Sequence, residues 1–175
     1  LELKAELLGY GYQFTTQTDT EVILVAYEHW GEACVNHFNG MWSFALYDRL
    51  KRQLFCSRDR FGIKPFYYRQ SDEGIFFGSE IKQLTNHEST IKGNFARIAD
   101  FCILGISEHT TETFFRDIMS LKAGHNLLIK CDTLSMTIQQ YYSLPQKKII
   151  VDNIVEEYQG LSHDANSLRL RSDVA

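Results

Sequence analysis

Residues 18–24 read Thr-Asp-Thr-Glu-Val-Ile-Leu, a helix start followed directly by an apolar run. Thr18 and Glu21 stand three residues apart, which is the spacing of a capping box, where side chains satisfy the free backbone N–H groups of the first turn. Apolar residues then recur at helical spacing until Gly31: Val22, Ile23, Ala26, Tyr27 and Trp30. The pattern predicts an amphipathic helix that ends at Gly31 and carries Asp19 in its first turn.

After this helix the apolar period changes to two and stays there through residue 78. Apolar and aromatic runs are separated by polar turns, which predicts consecutive hairpins; the runs are 41–48, 53–57, 66–69 and 75–77. Residues 42–47 read Trp-Ser-Phe-Ala-Leu-Tyr, so both faces of that strand are largely apolar. We therefore expect a sheet that is covered on both sides.

The remaining elements are predicted from similar local patterns. Helices are expected at the start of the chain up to Gly9, at 32–38, at 80–84 and at 95–104, the last with an Asn94 cap and an end near Gly105. Strands are expected at 12–16, 126–130 and 135–142. Residues 143–150 contain Pro145 and are predicted to be a linker, and 151–170 are helix-like with an interruption at 160–163.

Composition narrows the class of protein. The chain has 175 residues, of which 44% are hydrophobic and 13% aromatic, as in a packed globular domain. The formal net charge is -4, with lysines and arginines scattered among acids, so nucleic acid is an unexpected partner. No apolar run approaches the roughly 20 residues of a membrane span, and no secretory signal pattern is present. We expect a cytoplasmic protein without a membrane partner.

Four cysteines are spread along the chain, at positions 34, 56, 102 and 131. They form no C-x-x-C pair, so the sequence indicates neither a zinc site nor a redox motif, and no metal site is expected. Cys56 lies in a strand-like run and Cys102 in a helix-like run. We therefore expect both of these thiols in the core.

Five strings in the same order carry a family resemblance. They are Asp19-Thr-Glu-Val-Ile-Leu24, Asn39-Gly-Met-Trp-Ser-Phe-Ala-Leu-Tyr-Asp48, Arg58-Asp-Arg-Phe-Gly-Ile-Lys-Pro-Phe-Tyr-Tyr68, Gly78-Ser-Glu-Ile-Lys82 and Gly124-His125. Over residues 1–142 the chain resembles the glutaminase domain of asparagine synthetase. Residues 168–174 resemble the segment that leads into the ATP-binding synthetase domain of that family, so we expect residues 151–175 to begin that domain and to stop before its pyrophosphate loop.

The resemblance implies an α+β fold, the αββα sandwich of N-terminal-nucleophile hydrolases, with two antiparallel sheets between helix layers. In that family an N-terminal cysteine attacks the glutamine amide, its own α-amine acts as base, and an Asn-Gly pair forms the oxyanion hole. Leu1 is not a cysteine, and Asn39-Gly40 belongs to a different motif. We therefore expect a domain that is incomplete at its N-terminus and has no catalytic residue in this chain.

Asp19 matches the family's aspartate that receives the α-ammonium group of glutamine, which makes it the one predicted substrate-binding residue. An acid in the first turn of a helix has a simpler explanation too, because the helix dipole favours it. Arg58 and Asp59 are interpreted as structural, held by an ion pair and a turn, Ser79 as a helix N-cap, and His125 as a loop anchor.

By resemblance, the parent enzyme uses glutamine and aspartate, with ATP and magnesium in its synthetase domain, to make asparagine. The fragment itself is expected to be inert. Two alternatives remain open: a paralogue that amidates another carboxylate, and a non-catalytic binding or assembly module with the same fold. A homodimer is also possible, because missing first strands would leave sheet edges unpaired.

Overall fold

The computed structural model describes residues 2–85, 92–145 and 153–170. It divides into two compact units, Leu1–Ser143 and Leu144–Ala175. The first unit contains helices α1 (Glu2–Gly9), α2 (Asp19–Trp30), α3 (Ile81–Thr85) and α4 (Phe95–Leu104), a 3-10 helix (Gly31–Asn36), and strands β1 (Ser43–Asp48), β2 (Gln53–Arg58), β3 (Tyr67–Ser71), β4 (Gly74–Gly78), β5 (Met119–Ser120), β6 (His125–Lys130) and β7 (Ser135–Gln140). Helix α5 (Ile154–Arg169) belongs to the second unit.

The strands form two antiparallel sheets. One sheet has the order β1-β2-β6-β7 and the other has the order β4-β3-β5. The predicted hairpins β1–β2, β3–β4 and β6–β7 are all present as antiparallel pairs. The first two hairpins belong to different sheets, because the chain crosses from one sheet to the other between Arg58 and Tyr67.

Two apolar clusters define the layers. Phe55 and Leu128 of the larger sheet pack with α1, α2 and the 3-10 helix, whereas Cys56 and Leu127 pack with side chains of the smaller sheet such as Tyr68. Neighbouring residues of one strand thus enter different clusters, as the pleat of a strand requires. The larger sheet is covered on both faces, as the apolar residues on both sides of 42–47 predicted. The predicted α+β class with two antiparallel sheets is also confirmed.

Helix α2 confirms the prediction made from residues 18–31. Thr18 is its N-cap and accepts a hydrogen bond from the Glu21 amide, and Gly31 ends the helix at a positive φ of 59°. Ala26 is fully buried, and the neighbouring apolar side chains of α2 pack into the same cluster as Phe55. Apolar burial therefore fixes which side of α2 faces solvent.

Two predicted elements near α2 differ from the structure. Residues 12–16 form no strand, because the backbone amides of Thr15 and Thr16 donate to the Glu21 carboxylate instead of to a neighbouring strand. The helix expected at 32–38 is a 3-10 helix over Gly31–Asn36. In both places a local hydrogen-bond pattern replaces the regular element that the apolar spacing predicted.

Three further expectations were wrong. Helix α3 starts at Ile81, and the amide of Glu80 donates to the Gln83 side chain, so Ser79 is not the N-cap. Helix α5 is continuous through Gly160, since one glycine costs a helix only about 1 kcal/mol. Cys102 is exposed rather than in the core.

Parts of the predicted second segment lie outside the described residues, namely 146–152 and 171–175. The linker assigned to 143–150 and the lead-in assigned to 168–174 therefore stay predictions. Within the three described ranges, no helix is both long enough and apolar enough to cross a membrane.

Candidate functional site

The start of α2 is held by one carboxylate. Glu21 accepts hydrogen bonds from the Thr15 amide at 2.8 Å and from the Thr16 amide at 2.7 Å. It also accepts from their hydroxyl groups, at 2.9 and 2.6 Å. The hydrogen bond from the Thr15 amide, followed by the other three, lowers the pKa of Glu21 from 4.5 to about 2. Glu21 is thus a charged acceptor that fixes the loop before the helix.

This arrangement is only half of the predicted capping box. Thr18 Oγ1 accepts from the Glu21 amide at 3.4 Å, but the Glu21 carboxylate reaches back beyond Thr18 to residues 15 and 16. Lys4 connects α1 to the same loop: its ammonium group donates to the Thr16 carbonyl at 2.8 Å and to Gln17 Oε1 at 3.0 Å. The 15–18 loop is therefore anchored to both flanking helices.

Asp19 is the first residue of α2 and its side chain is exposed. Across the described parts of the chain its carboxylate makes no hydrogen bond and no ion pair with another residue, in contrast to Glu21 two positions later. The structure therefore places Asp19 on an ordered helix start with its oxygens free. Its predicted role in binding the ammonium group of glutamine stays a prediction.

A second ordered loop follows β2. Arg58 donates to the carbonyls of Lys64 and Gly62, both at 2.8 Å, to the Leu121 carbonyl at 2.6 Å and to Ser120 Oγ at 3.0 Å. The guanidinium group is thus occupied by the protein itself. Arg58 joins the 58–64 loop to the segment that precedes β6.

Asp59 organises the same loop from the inside. Its side chain is buried, and its carboxylate accepts from the backbone amides of Phe61, Ile63 and Lys64 at 3.1, 3.0 and 2.9 Å. The structural interpretation of Arg58 and Asp59 agrees with these contacts. They form no ion pair with each other, because Asp59 accepts from backbone amides and Arg58 donates to three carbonyls and to Ser120 Oγ.

The turn before β6 explains Gly124 and His125. Gly124 has a φ of +68°, and a Cβ atom there would lie 2.8 Å from the Tyr142 carbonyl oxygen, so only glycine fits. His125 Nδ1 lies 2.8 Å from the Ala123 carbonyl, to which an Nδ1–H group donates. The histidine anchors the turn, as the sequence indicated.

A cavity of about 490 Å³ lies beside the 58–64 loop. Its walls include Arg58, Tyr67, Lys122 and most of the segment 107–114, and Asp19 is not among its lining residues. Local periodicity gave no signal for this cavity, because its wall is an irregular segment that approaches β3 only in the folded chain. The volume suits a small molecule, but its arginine is already fully engaged.

Segment 107–114 is attached to α4 by a cluster of charged side chains. Arg97 Nη1 lies 3.0 Å from Asp100 Oδ2 and 2.8 Å from His109 Nε2, and Asp100 Oδ2 lies 3.0 Å from His109 Nε2. Arg97 Nε lies 3.3 Å from Glu112 Oε2, at ion-pair distance. These four residues belong to a structural cluster rather than to a metal centre: the described ranges contain no group of three or more His, Cys, Asp or Glu residues that could hold a metal.

The family follows from comparison with known proteins. The sequence profile of the glutamine amidotransferase domain matches residues 1–142. The chain belongs to this glutamine amidotransferase family. The match ends at the last residue before the predicted linker and includes α2, the three hairpins and the 58–64 loop.

Curated relatives carry a more specific name. Asparagine synthetase [glutamine-hydrolyzing] 3 of Bacillus subtilis is 36% identical over 177 residues, which are 99% of this chain and 28% of that protein. A Methanocaldococcus jannaschii protein, named provisionally as asparagine synthetase [glutamine-hydrolyzing] 2, is 38% identical over 99% of this chain and 34% of its own length. This amidotransferase chain therefore spans about a third or less of the relatives it matches.

Solved structures support the fold. Glutamine phosphoribosylpyrophosphate amidotransferase from B. subtilis superposes with a TM-score of 0.54 at 16% identity, covering 81% of this chain and 26% of that one. The N-terminal-nucleophile hydrolase fold predicted for this amidotransferase is confirmed. The relatives favour the interpretation as the glutaminase part of an asparagine synthetase over a paralogue or a non-catalytic module.

Proposed function

We propose that this chain is the glutaminase part of a longer, cytoplasmic, glutamine-dependent asparagine synthetase. In this proposal the glutaminase part releases ammonia from the side-chain amide of glutamine. A synthetase part then uses the ammonia to amidate aspartate. The support is the family match over residues 1–142 and the names of relatives that align with 99% of the chain.

The observation that carries the proposal within this chain is the free carboxylate of Asp19 on a fixed helix start. Glu21 and Lys4 hold the loop before α2, so the position of Asp19 is set before any ligand arrives. A preorganised carboxylate binds an ammonium group by a charge-assisted hydrogen bond, which is stronger than a neutral one. Asp19 is the predicted contact for the α-ammonium group of glutamine.

The remaining chemistry is assigned to residues beyond this chain. An N-terminal cysteine would attack the amide carbon and its α-amine would take the proton, while an Asn-Gly pair would stabilise the oxyanion. ATP and magnesium would act in the synthetase part to activate the aspartate carboxylate. The 175 residues contain no Ser-Gly-Gly-x-Asp-Ser loop for the ATP phosphates.

The test uses the longer polypeptide that the gene encodes, assayed for asparagine formation with glutamine or with free ammonia as nitrogen donor. Asp19→Asn removes the negative charge without changing the size of the side chain. A lost hydrogen bond to a charged group costs about 1.5–3 kcal/mol, so KM for glutamine should rise roughly 10- to 100-fold. Activity with free ammonia should stay unchanged, because ammonia bypasses glutamine binding.

Asp72→Asn is the matched control, since Asp72 is an exposed acid in the turn between β3 and β4, far along the chain from α2. Its KM for glutamine should equal that of the parent. An unchanged KM in Asp19→Asn would disprove the assigned role of Asp19. No glutamine-dependent asparagine formation in the parent polypeptide would overturn the proposed function itself.

A further inference from the structure

The loop before α2 is organised around Thr16. Its amide donates to Glu21 Oε2 at 2.7 Å, and its hydroxyl donates to the same oxygen at 2.6 Å. Its carbonyl accepts from the Lys4 ammonium group at 2.8 Å. All three polar groups of Thr16 are thus bound by side chains of the two flanking helices, although the residue itself is exposed.

The direction of the hydroxyl hydrogen bonds follows from the charge of Glu21. Its carboxylate is ionised at neutral pH, because the hydrogen bond from the Thr15 amide, followed by that from the Thr16 hydroxyl, lowers its pKa to about 2. An ionised carboxylate only accepts, so the single hydroxyl proton of Thr16 points to Glu21. The hydroxyl oxygens of Thr16 and Thr18 lie 2.9 Å apart, and Thr16 has no second proton to give. Thr18 therefore donates to Thr16.

These directions close a ring of hydrogen bonds around the N-cap of α2. Thr18 donates to Thr16, Thr16 donates to the Glu21 carboxylate, and the Glu21 amide donates back to Thr18 at 3.4 Å. The Thr18 amide adds a bond to the Thr16 hydroxyl at 3.3 Å. Thr18 is thus held through its side chain and its backbone. The ring fixes the backbone immediately before Asp19, which is the next residue.

We propose that Thr16 is a positioning residue for the binding of the α-ammonium group of glutamine by Asp19. The role rests on the proposed function of the chain, the release of ammonia from glutamine. Thr16 does not contact the substrate in this role: its hydroxyl fixes Thr18, and Thr18 fixes the backbone that carries Asp19. A carboxylate that is already held in one place loses less conformational entropy on binding than a mobile one, so its affinity is higher.

Asp19 needs this support because its side chain has none of its own. Within the described ranges its carboxylate makes no hydrogen bond and no ion pair, whereas Glu21 accepts four hydrogen bonds. The orientation of Asp19 is therefore set by its backbone. A charge-assisted hydrogen bond to an ammonium group depends on distance and angle, so a loosened N-cap should weaken it.

Thr15 provides a matched comparison in the same loop. Its amide and hydroxyl donate to Glu21 Oε1 at 2.8 and 2.9 Å, just as those of Thr16 donate to Oε2. Only Thr16 of the two is also hydrogen-bonded to Thr18 in the described structure. The two threonines therefore share the contact with Glu21 and differ in the contact with the N-cap.

The test measures steady-state kinetics of the longer polypeptide, with glutamine or free ammonia as nitrogen donor. Thr16→Val replaces the hydroxyl by a methyl group of similar size, so it opens the ring without leaving a gap. KM for glutamine should rise roughly 3- to 10-fold, the scale of one lost hydrogen bond, while kcat stays unchanged. Activity with free ammonia should also stay unchanged.

Three further variants separate positioning from general stability. Thr16→Ser keeps the hydroxyl, so its KM should lie within about twofold of the parent value. Thr15→Val removes the other hydroxyl donor to Glu21 and should also stay within about twofold. In an Asp19→Asn background, Thr16→Val should raise KM no further, because the carboxylate that it positions is already gone.

The outcomes distinguish this role from the proposed function. Equal KM values in Thr16→Val and Thr15→Val, or a further rise in the Asp19→Asn background, would show that the ring does not act through Asp19. A loss of kcat without a rise in KM would indicate a purely structural role and also overturn the proposal. A parent polypeptide without glutamine-dependent asparagine formation would overturn the proposed function, and the role of Thr16 with it.

Discussion

Helices α2 and α4 are both amphipathic, but they pack against the rest of the protein with opposite sides. In α2 the apolar side packs on the larger sheet and Asp19 is left exposed at the first turn. In α4 the charged residues and Phe101 contact the cavity segment, and most of the apolar side is left exposed. Each helix presents to its surroundings the chemistry it does not bury. The first leaves a carboxylate exposed, and the second leaves an apolar surface exposed.

The largest expected effect comes from making the same substitution in both helices. Ala26 of α2 is fully buried, whereas Ala96 of α4 is exposed. Ala26→Leu should destabilise the protein by about 1–3 kcal/mol, because a packed core does not accept three extra carbons. Ala96→Leu should change the free energy of unfolding by less than about 0.5 kcal/mol. Urea denaturation of both variants measures the difference, and equal losses would show that α4 is packed like α2.

A second substitution tests whether the contacts of Arg97 hold α4 against the segment that lines the cavity. Arg97→Met keeps an unbranched apolar stem but removes the guanidinium group that contacts both Asp100 and Glu112. Because Arg97 is only 18% exposed, the loss should be about 1–3 kcal/mol. Arg49→Met, at an exposed position in the turn after β1, should lie within about 0.5 kcal/mol of the parent. If the two variants match in urea denaturation, polar contacts do not hold the helix.

The smallest effect concerns the carboxylate at the start of α2. The folded-state pKa of Glu21 is lowered to about 2 from 4.5, so its contribution to stability is present above pH 4.5 and is lost as the pH falls toward 2. Glu21→Gln should therefore be less stable than the parent at pH 6, and the two should converge as the pH approaches 2. Glu28→Gln, which changes an exposed acid on the same helix, should lie within about 0.5 kcal/mol of the parent at pH 6. Urea denaturation at several pH values follows the trend, and a difference that did not vary with pH would contradict the role of Glu21.

Much of the fold was predictable because it is encoded locally. The alternating period of residues 41–78 predicted hairpins, and the caps at Thr18, Gly31 and Gly105 marked helix ends that the structure reproduces. The family was predictable because five strings that resemble it occur along the chain in the family's order. Two of the failed predictions have a common cause. Residues 12–16 and Ser79 depend on hydrogen bonds to Glu21 and Gln83 that spacing alone does not specify.

The candidate site also has one part that the sequence predicted and another that only the structure revealed. The role of Asp19 was inferred from the family resemblance and stays a prediction. Only the structure shows that the Asp19 carboxylate makes no hydrogen bond or ion pair within the described residues. Only the structure shows that Glu21 accepts four hydrogen bonds and so anchors the loop. The cavity beside Arg58 had no sequence signal, because its walls come from segments up to 65 residues apart, such as Arg58 and Ala123.

Sequence by itself determined most helices and the three hairpins, the amphipathic character of both helices and the family, because capping, periodicity and glycine turns act over a few neighbouring residues. Tertiary structure decided which side of each helix is covered. The apolar residues of α4 would suit a core, and Cys102 was expected there. In the structure Arg97 and Asp100 instead contact His109 and Glu112. Because a partly buried charge must be paired, these contacts place the charged side of α4 inward and its apolar side outward.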